Sequence, residues 1–365
     1  MLKEIGSNFW LNPEEIYDDS KIDLSHYGLK GNDSVLLSTG RAAEQYVLRT
    51  VEERNSQLKK VALIPPFTCQ TVIEPFRQLG YCIWTYPIDE KLCIKLEQFR
   101  RILDKSQAQV VLLHRYFGFD TLKEMESIIC EYQAKGVSFI EDRTQNLYSD
   151  HPELNTDYTI GSLRKWSGVL DGAFALCREG KFRKKPSQYD EDLKKEKMEA
   201  CYLKYRYMMG LENNKEEYLL RYRRAEEILD KQQEFYRICP ESERIQASLD
   251  NETLKVCRRK NYSHLYLGLK EIKPIYALTP ELSEGDVPLY LAITLENRGE
   301  LQKRLKSENI FAPVVWPLPD NLPFVCDEAR DFYQHILCFP VDQRYGLDDM
   351  ERIIRVIKKE LEYGD

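Results

Sequence analysis

Hydrophobic residues along this chain gather into short runs, and the runs recur. Ser34–Leu37, Lys60–Ile64, Tyr81–Tyr86, Val110–His114 and Val137–Ile140 are apolar and rich in β-branched or aromatic residues, and their starts lie about 26 residues apart. Each has the length of a buried strand. Helix-like stretches separate them. Leu122, Met125, Ile128, Ile129 and Tyr132 follow the i, i+3, i+6, i+7, i+10 spacing of one helical face. Alternating strand and helix predicts an α/β fold, a mostly parallel sheet with helices on both faces. Ligands of such sheets gather at the carboxyl ends of the strands.

The pattern changes on either side of this rhythm. Residues 1–33 are polar, punctuated by Gly, Pro, Asn and Asp, and read as an arm. After Asp157 two strands, Tyr158–Leu163 and Ala173–Cys177, follow closely on one another. Residues 180–236 are dominated by charge and helix formers, and predict one or two long solvent-lined helices. A helix-like stretch from about Leu249 precedes strands at Ile275–Leu278, Leu289–Leu295 and Phe311–Val315, with a helix near Arg298–Ser307. The last helix carries Leu347, Met350, Ile353, Ile354 and Ile357 on one stripe. These patterns divide the chain into an arm (1–33), a large domain (34–245) and a smaller C-terminal α/β domain (246–365).

Composition narrows the partners. The chain has 365 residues, 42% hydrophobic, and a net charge of −7 with both signs interspersed. No basic face for nucleic acid or anionic membrane is expected. No run approaches the roughly 20 apolar residues of a membrane span, and the N-terminal stretch lacks the apolar core of a signal peptide. Ten cysteines occur singly, with no C-x-x-C pair, which speaks against a zinc or dithiol site and for a reducing cytoplasm. The five histidines show no metal-ligand spacing.

Three short stretches could carry chemistry. Leu36-Leu37-Ser38-Thr39-Gly40-Arg41-Ala42-Ala43 reads as a strand, a glycine turn and a helix start. Free N–H groups at a helix N-terminus suit a phosphate, and Arg41 could add a fork of donors. Phe139-Ile140-Glu141-Asp142 is a strand ending in two acids, where ligands bind. Gly161-Ser162-Leu163-Arg164-Lys165 is a strand running into S-x-x-K. A lysine just after a buried strand is poised to lose its proton, and a neutral amine can attack a carbonyl to form an imine. Each stretch alone also fits an ordinary turn or cap. Together they supply a phosphate cup, a carboxylate and a lysine, the three parts that pyridoxal phosphate requires. His114, at the end of its strand, is a candidate base, though such a histidine is more often a hydrogen-bonded core residue.

On these residues the chain resembles the DegT/DnrJ/EryC1/StrS sugar aminotransferases, of the fold type I pyridoxal-phosphate enzymes. The resemblance runs from about Ser34 to the end. Ser38–Ala43 resembles the family's phosphate-cup turn, which implies Thr39, Gly40, Arg41 and Ala42 as phosphate contacts. Pro65-Pro66-Phe67-Thr68-Cys69-Gln70-Thr71 resembles its P-x-x-T-x-x-x-T segment, and His114-Arg115-Tyr116-Phe117-Gly118 its histidine–glycine stretch. Glu141-Asp142-Arg143-Thr144-Gln145 resembles its E-D-x-A-Q/H motif. That match implies Asp142 at the cofactor's ring nitrogen and Gln145 near its ring oxygen. Lys165 matches the lysine that anchors the cofactor. Phe339-Pro340-Val341 and the following helix resemble its C-terminal lobe. The resemblance implies a seven-stranded, mostly parallel sheet, a homodimer with sites at the subunit interface, an amino donor such as glutamate and a nucleotide-linked keto sugar as acceptor.

The departures are specific. Ser162 stands three residues before Lys165, as in the S-x-x-K of the wider superfamily, and is assigned as a phosphate ligand. The glycine-rich stretch after the lysine is reduced to Asp171-Gly172-Ala173. Cys69 occupies the position that usually stacks an aromatic on the ring, leaving Phe67 as a substitute. Lys204-Tyr205-Arg206-Tyr207-Met208 only echoes the N-Y-R-M segment of the partner subunit. These changes bear on the substrate more than on the cofactor. S-x-x-K also marks penicillin-binding serine hydrolases, but their S-D-N and K-T-G partner motifs are missing. A lyase or dehydratase and a non-catalytic binding protein are the other readings; the presence of Lys165 and Asp142 favours transamination.

Overall fold

The computed structural model describes residues 3–362, apart from residues 16, 56, 58, 279–280 and 321. The chain begins with β1 (Ile5–Gly6), β2 (Asp33–Leu37), α1 (Gly40–Arg54), β3 (Val61–Ile64), α2 (Gln70–Gln78), β4 (Cys82–Thr85) and α3 (Leu96–Ser106). It continues through β5 (Val110–His114), α4 (Glu126–Gln133), β6 (Ser138–Asp142), β7 (Tyr158–Ser162) and β8 (Ala173–Cys177). Four helices follow: α5 (Glu191–Met208), α6 (Glu216–Lys231), α7 (Pro240–Ala247) and α8 (Asn251–Leu269). The remainder holds β9 (Tyr276–Ala277), β10 (Tyr290–Thr294), α9 (Arg298–Ser307), β11 (Ile310–Phe311), α10 (Asp327–His335), β12 (Ile336–Pro340) and α11 (Leu347–Glu362).

Seven strands form the main sheet in the order β2-β8-β7-β6-β5-β3-β4. Strand β8 runs antiparallel to both neighbours, and the other pairs are parallel. Six strands therefore point one way and share one carboxyl edge. The expected seven-stranded, mostly parallel sheet is what forms. All five residues of β5 are buried, as a strand covered on both faces requires. Helices start where local chemistry supports them. Thr39 Oγ1 accepts from Ala42 N (3.1 Å) at α1, Asp190 from Leu193 N (3.0 Å) at α5, and Asp250 from Thr253 N (3.0 Å) at α8. Such caps satisfy N–H groups that a helix leaves unpaired. The charged 180–236 stretch becomes the antiparallel neighbours α5 and α6, as its composition predicts.

A second sheet has the order β12-β10-β9, antiparallel throughout. Strand β12 pairs residue for residue with β10, from Tyr290–Pro340 to Thr294–Ile336. The strand expected at Phe311–Val315 is only Ile310–Phe311, because its parallel partner β1 offers two residues. At this junction Gly6 has φ +86°, and a Cβ there would stand 2.2 Å from the Phe311 carbonyl oxygen. Only glycine permits that approach.

The expected arm is thus fastened at its start. Tyr345 Oη accepts from Gly6 N (2.8 Å), Lys204 Nζ donates to Ser7 Oγ and the Asn8 carbonyl (2.6 Å each), and Arg344 donates to the same Asn8 carbonyl (3.0 Å). Leu11, Leu24, Tyr27 and Leu29 are buried beyond it. The expected domain boundary at 245–246 falls inside α7. Among the described residues no helix is long and apolar enough to cross a membrane.

Candidate active site

Three parallel strands end side by side in polar residues: β5 in His114, β6 in Asp142 and β7 in Ser162. One strand further on, beyond the antiparallel β8, β2 leads through Ser38 into the first turn of α1. The N–H groups of Gly40 and Arg41 donate to no protein oxygen among the described residues, while Ala42 N is taken by Thr39 Oγ1. Gly40 faces β7: a Cβ built there would lie 3.4 Å from Ser162 Cβ and 4.0 Å from Ser162 Oγ, with nothing else within 4 Å. Two free N–H groups at a helix N-terminus, a hydroxyl opposite and open space between them make an anion cradle. The Arg41 guanidinium is engaged elsewhere, by Asp230 at 3.0 Å and Glu74 at 3.5 Å, so what it offers the cradle is its backbone.

Asp142 is 4% exposed. Burial pushes its pKa up, but His114 and the Thr144 hydroxyl and N–H outweigh this and leave it below the ordinary value. His114 Nδ1 lies 3.3 Å from Asp142 Oδ2, and Thr144 N donates to Oδ1 at 2.8 Å. The His114 ring packs against Tyr116 and Trp316, with centroids at 4.7 and 5.5 Å, and neither of its nitrogens makes a well-aligned hydrogen bond. Asp142 is therefore a buried acid held ionised at a strand end. Gln145 follows one turn later. Its Oε1 accepts from Phe117 N (2.9 Å), which leaves the amide nitrogen as its free end. The backbone supporting that contact is tight: Gly118 has φ +95°, and a Cβ there would meet the Val287 carbonyl oxygen at 2.0 Å.

Lys165 closes the short turn after β7. Its side chain keeps solvent contact because it stands in an open cavity. The surrounding walls still dominate its chemistry: burial lowers its pKa, and Arg164 beside it lowers it further. Cys69, Glu226 and Asp142 are near enough to pull the other way. No protein atom among the described residues accepts a hydrogen bond from its amine. An unpaired amine with a depressed pKa is primed to act as a nucleophile.

Thr144 ties these parts together, a role the sequence did not announce. Its Oγ1 accepts from Ser162 N (3.0 Å), its carbonyl accepts from Trp166 Nε1 (2.8 Å), and its N–H holds Asp142. One residue thus braces the carboxylate, the cradle serine and the turn that carries Lys165. Beneath, a buried Arg115 pairs with Glu141 (2.6 Å) and Asp120 (2.7 Å), so the first acid of the Glu141-Asp142 pair supports the loop. Cys69 caps no helix N–H and lies 2.9 Å from Thr71 Oγ1. Phe67 is fully buried among Tyr116, Trp316, Phe332 and Tyr333; this sets aside its expected place over a ring, because its faces are already covered.

No family model and no curated protein matches the sequence. Solved structures do match over nearly the whole chain. Helicobacter pylori PseC, described as an aminotransferase of pseudoaminic acid biosynthesis, superimposes with a TM-score of 0.68 at 15% identity, covering 93% of this chain and 89% of its own. A DegT DnrJ EryC1 StrS aminotransferase from Brucella abortus gives 0.63 at 16%, covering 92% and 87%. A NifS-like protein gives 0.60 at 16%, covering 93% and 85%. The fold is that of the fold type I aminotransferases. At such identities the likeness concerns the fold, which the NifS-like protein shares.

Within this aminotransferase fold, a cavity of about 640 Å³ reaches Lys165. Its walls come from the arm (Ser7, Phe9), α9 (Lys303, Lys306) and the stretch after β12 (Asp342, Arg344). Of the expected site residues only Lys165 lines it. The residues echoing the partner-subunit segment lie on α5, where Lys204 is buried against the arm, as described above. Glu44, on the inward side of α1, is a second buried acid, its pKa raised by burial and further by the charge of Asp142. An acid in an otherwise apolar helical stripe was its signal in the sequence.

Proposed function

We propose that this chain is a pyridoxal-phosphate-dependent aminotransferase that moves an amino group from a donor such as glutamate to a keto acceptor. The observation that carries the reading is the unpaired, pKa-depressed Lys165 amine beside an acid, Asp142, that stays ionised in a buried site. The residues present fit the cofactor. The free N–H groups of Gly40 and Arg41 at the helix start, with the Ser162 hydroxyl opposite, would hold its phosphate; the Ala42 N–H, expected there too, is taken by Thr39 Oγ1. Asp142 would hold its ring nitrogen, and the free amide nitrogen of Gln145 its ring oxygen. When bound, pyridoxal phosphate supplies an aldehyde for an amine and an electron sink that depends on a protonated ring nitrogen.

The chain's own groups then have defined tasks. His114 and Thr144 keep Asp142 ionised, and its negative charge would keep a proton on the ring nitrogen. Lys165 Nζ would hold the aldehyde end and, once freed by the incoming amine, would serve as the base that moves a proton at the substrate's α-carbon. Its lowered pKa raises the fraction of neutral amine available near neutrality. The cavity next to Lys165 gives the substrate its approach. The likeness to sugar aminotransferases supports a nucleotide-linked sugar as acceptor, a homodimer as the working unit and a cytoplasmic location. Residues 34–245 are assigned to cofactor binding and 246–365 to a smaller lobe beside it.

Purified protein mixed with pyridoxal phosphate should develop a visible absorption band, and borohydride should fix the cofactor on Lys165, located by peptide mapping. Glutamate should bleach the band in the absence of an acceptor. No band, or fixation on another lysine, would refute the reading.

A further inference from the structure

Among the described residues no acceptor holds the Lys165 amine, which stands in an open cavity. The place of that amine is therefore set by the backbone from which it hangs. Trp166, the next residue, fixes this backbone on its carboxyl side. It is fully buried. Its N–H donates to the Leu163 carbonyl (3.0 Å) and its indole N–H to the Thr144 carbonyl (2.8 Å). Its ring packs against the Arg258 guanidinium at 4.6 Å and the Tyr148 ring at 5.0 Å.

The remaining polar group of Trp166 is held from far along the chain. Its carbonyl accepts from Gln343 Nε2 at 2.8 Å, a contact between residues 177 positions apart. Gln343 follows β12, between Asp342 and Arg344, which line the same cavity as Lys165. Arg258 Nε donates to Gln343 Oε1 at 3.0 Å, and Arg258 Nη2 reaches the Trp166 carbonyl at a longer 3.4 Å. The other acceptors of Arg258 are the Pro288 and Leu289 carbonyls, at 3.3 Å each. A guanidinium can only donate and a carbonyl can only accept, so one orientation of the Gln343 amide serves both neighbours.

We propose that Gln343 is a positioning residue for Lys165: by holding the Trp166 carbonyl it fixes where the lysine enters the cavity. The inference rests on the cofactor reading above and deepens it. The cradle at Gly40 and Ser162 would hold one end of the cofactor, and Lys165 must meet the other. An error at the root of the lysine is then an error in the distance to be closed. A misplacement of about 1 Å can cost on the order of 10²-fold in rate.

The test uses Gln343→Glu and Gln343→Met, which keep the side-chain length. Gln343→Glu retains an acceptor for Arg258 but sets a carboxylate oxygen against the Trp166 carbonyl. Gln343→Met removes both contacts. Each cofactor-free protein is mixed with pyridoxal phosphate and, separately, with formaldehyde and cyanoborohydride. Modification of Lys165 is followed by the visible band and by peptide mass spectrometry, with a thermal melt beside them. Formaldehyde has no phosphate to anchor it, so it reports the access and protonation of Lys165 but not its position. Both variants should capture pyridoxal phosphate at least about tenfold more slowly, with formaldehyde labelling of Lys165 within about twofold of wild type. Gln343→Glu should keep the wild-type melt, and it decides alone if Gln343→Met does not fold. Capture at the wild-type rate by Gln343→Glu would show that Gln343 serves only Arg258 and would overturn the proposal. Equal slowing with both aldehydes would overturn it too, since access or protonation would then have changed. Failure of borohydride to fix the cofactor on Lys165 in the wild type would instead overturn the cofactor reading beneath it.

Discussion

Replacing Asp142 by Asn isolates the charge on which the proposed chemistry depends. The substitution exchanges one oxygen for an amide nitrogen and leaves the volume unchanged. Thr144 N, 2.8 Å from Oδ1 in the native protein, can still donate to the amide oxygen. What disappears is the negative charge facing His114 at 3.3 Å, the charge proposed to hold the ring nitrogen. Native Asp142 is held ionised despite its burial, so its cost of desolvation and its attraction to His114 and Thr144 partly offset each other. Loss of both leaves stability nearly unchanged, with an expected cost of at most about 1 kcal/mol, the scale of a single net hydrogen bond. Catalysis has no such compensation. Removing one preorganised electrostatic partner from a buried site costs on the order of 10²–10³-fold in kcat, about 2.7–4 kcal/mol. The assay is the single-turnover bleaching of the cofactor band by glutamate, followed by stopped flow at saturating cofactor, with a thermal melt recorded beside it. A loaded, folded Asp142→Asn protein that reacts within about threefold of wild type, a difference of only about 0.7 kcal/mol, would remove Asp142 from the ring nitrogen.

Further expectations follow from single contacts. Thr144→Val deletes the hydroxyl that accepts from Ser162 N and should weaken cofactor retention about tenfold, one unsatisfied buried donor at roughly 1–3 kcal/mol; unchanged retention in a dialysis assay would show that Thr144 braces nothing. Gly161→Ala puts a Cβ 2.5 Å from the Phe174 ring inside the sheet, so the melt should register a loss of about 1–3 kcal/mol from overpacking, and an unaltered melting temperature would contradict the packing. Lys204, fully buried with Arg344 nearby, has its ammonium pushed down to about 7 by burial first and by that guanidinium second. Between that value and the unfolded value of about 10.4 the unfolded chain binds more protons, so this lysine makes stability rise with pH from about 7 upward. Relative to Lys204→Met, the wild-type melting temperature should climb between pH 6.5 and 8.5; parallel curves would refute the buried-lysine linkage.

The chain's periodicity was enough for the large sheet. Val110–His114 and Ala173–Cys177 are bounded as the pattern predicts, because a strand covered on both faces must be apolar at every position, and such runs stand out against charged helices. The carboxylate, the lysine and the helix-start cradle were also legible, since each sits at the abrupt junction where an apolar strand ends. Strand β12 was not, because Ile336–Pro340 follows α10 without a turn residue and its pairing partner lies more than 40 residues earlier. Arg41 read as a phosphate fork, but its guanidinium turns to Glu74 and Asp230, acids brought beside it from α2 and α6. Phe67 read as a ring cover, yet it is buried among aromatics contributed by separate elements.

The sequence by itself determined which residues end strands and which begin helices, because backbone propensity and burial act locally. Only the tertiary structure decided how those ends share one edge. It brought Thr144 between Asp142, Ser162 and the Lys165 turn, made Glu141 a support for Arg115, and set Gln343 against the Trp166 carbonyl. Those assignments depend on distances between elements far apart in the chain, and the charge state of each buried group depends on what the fold places beside it.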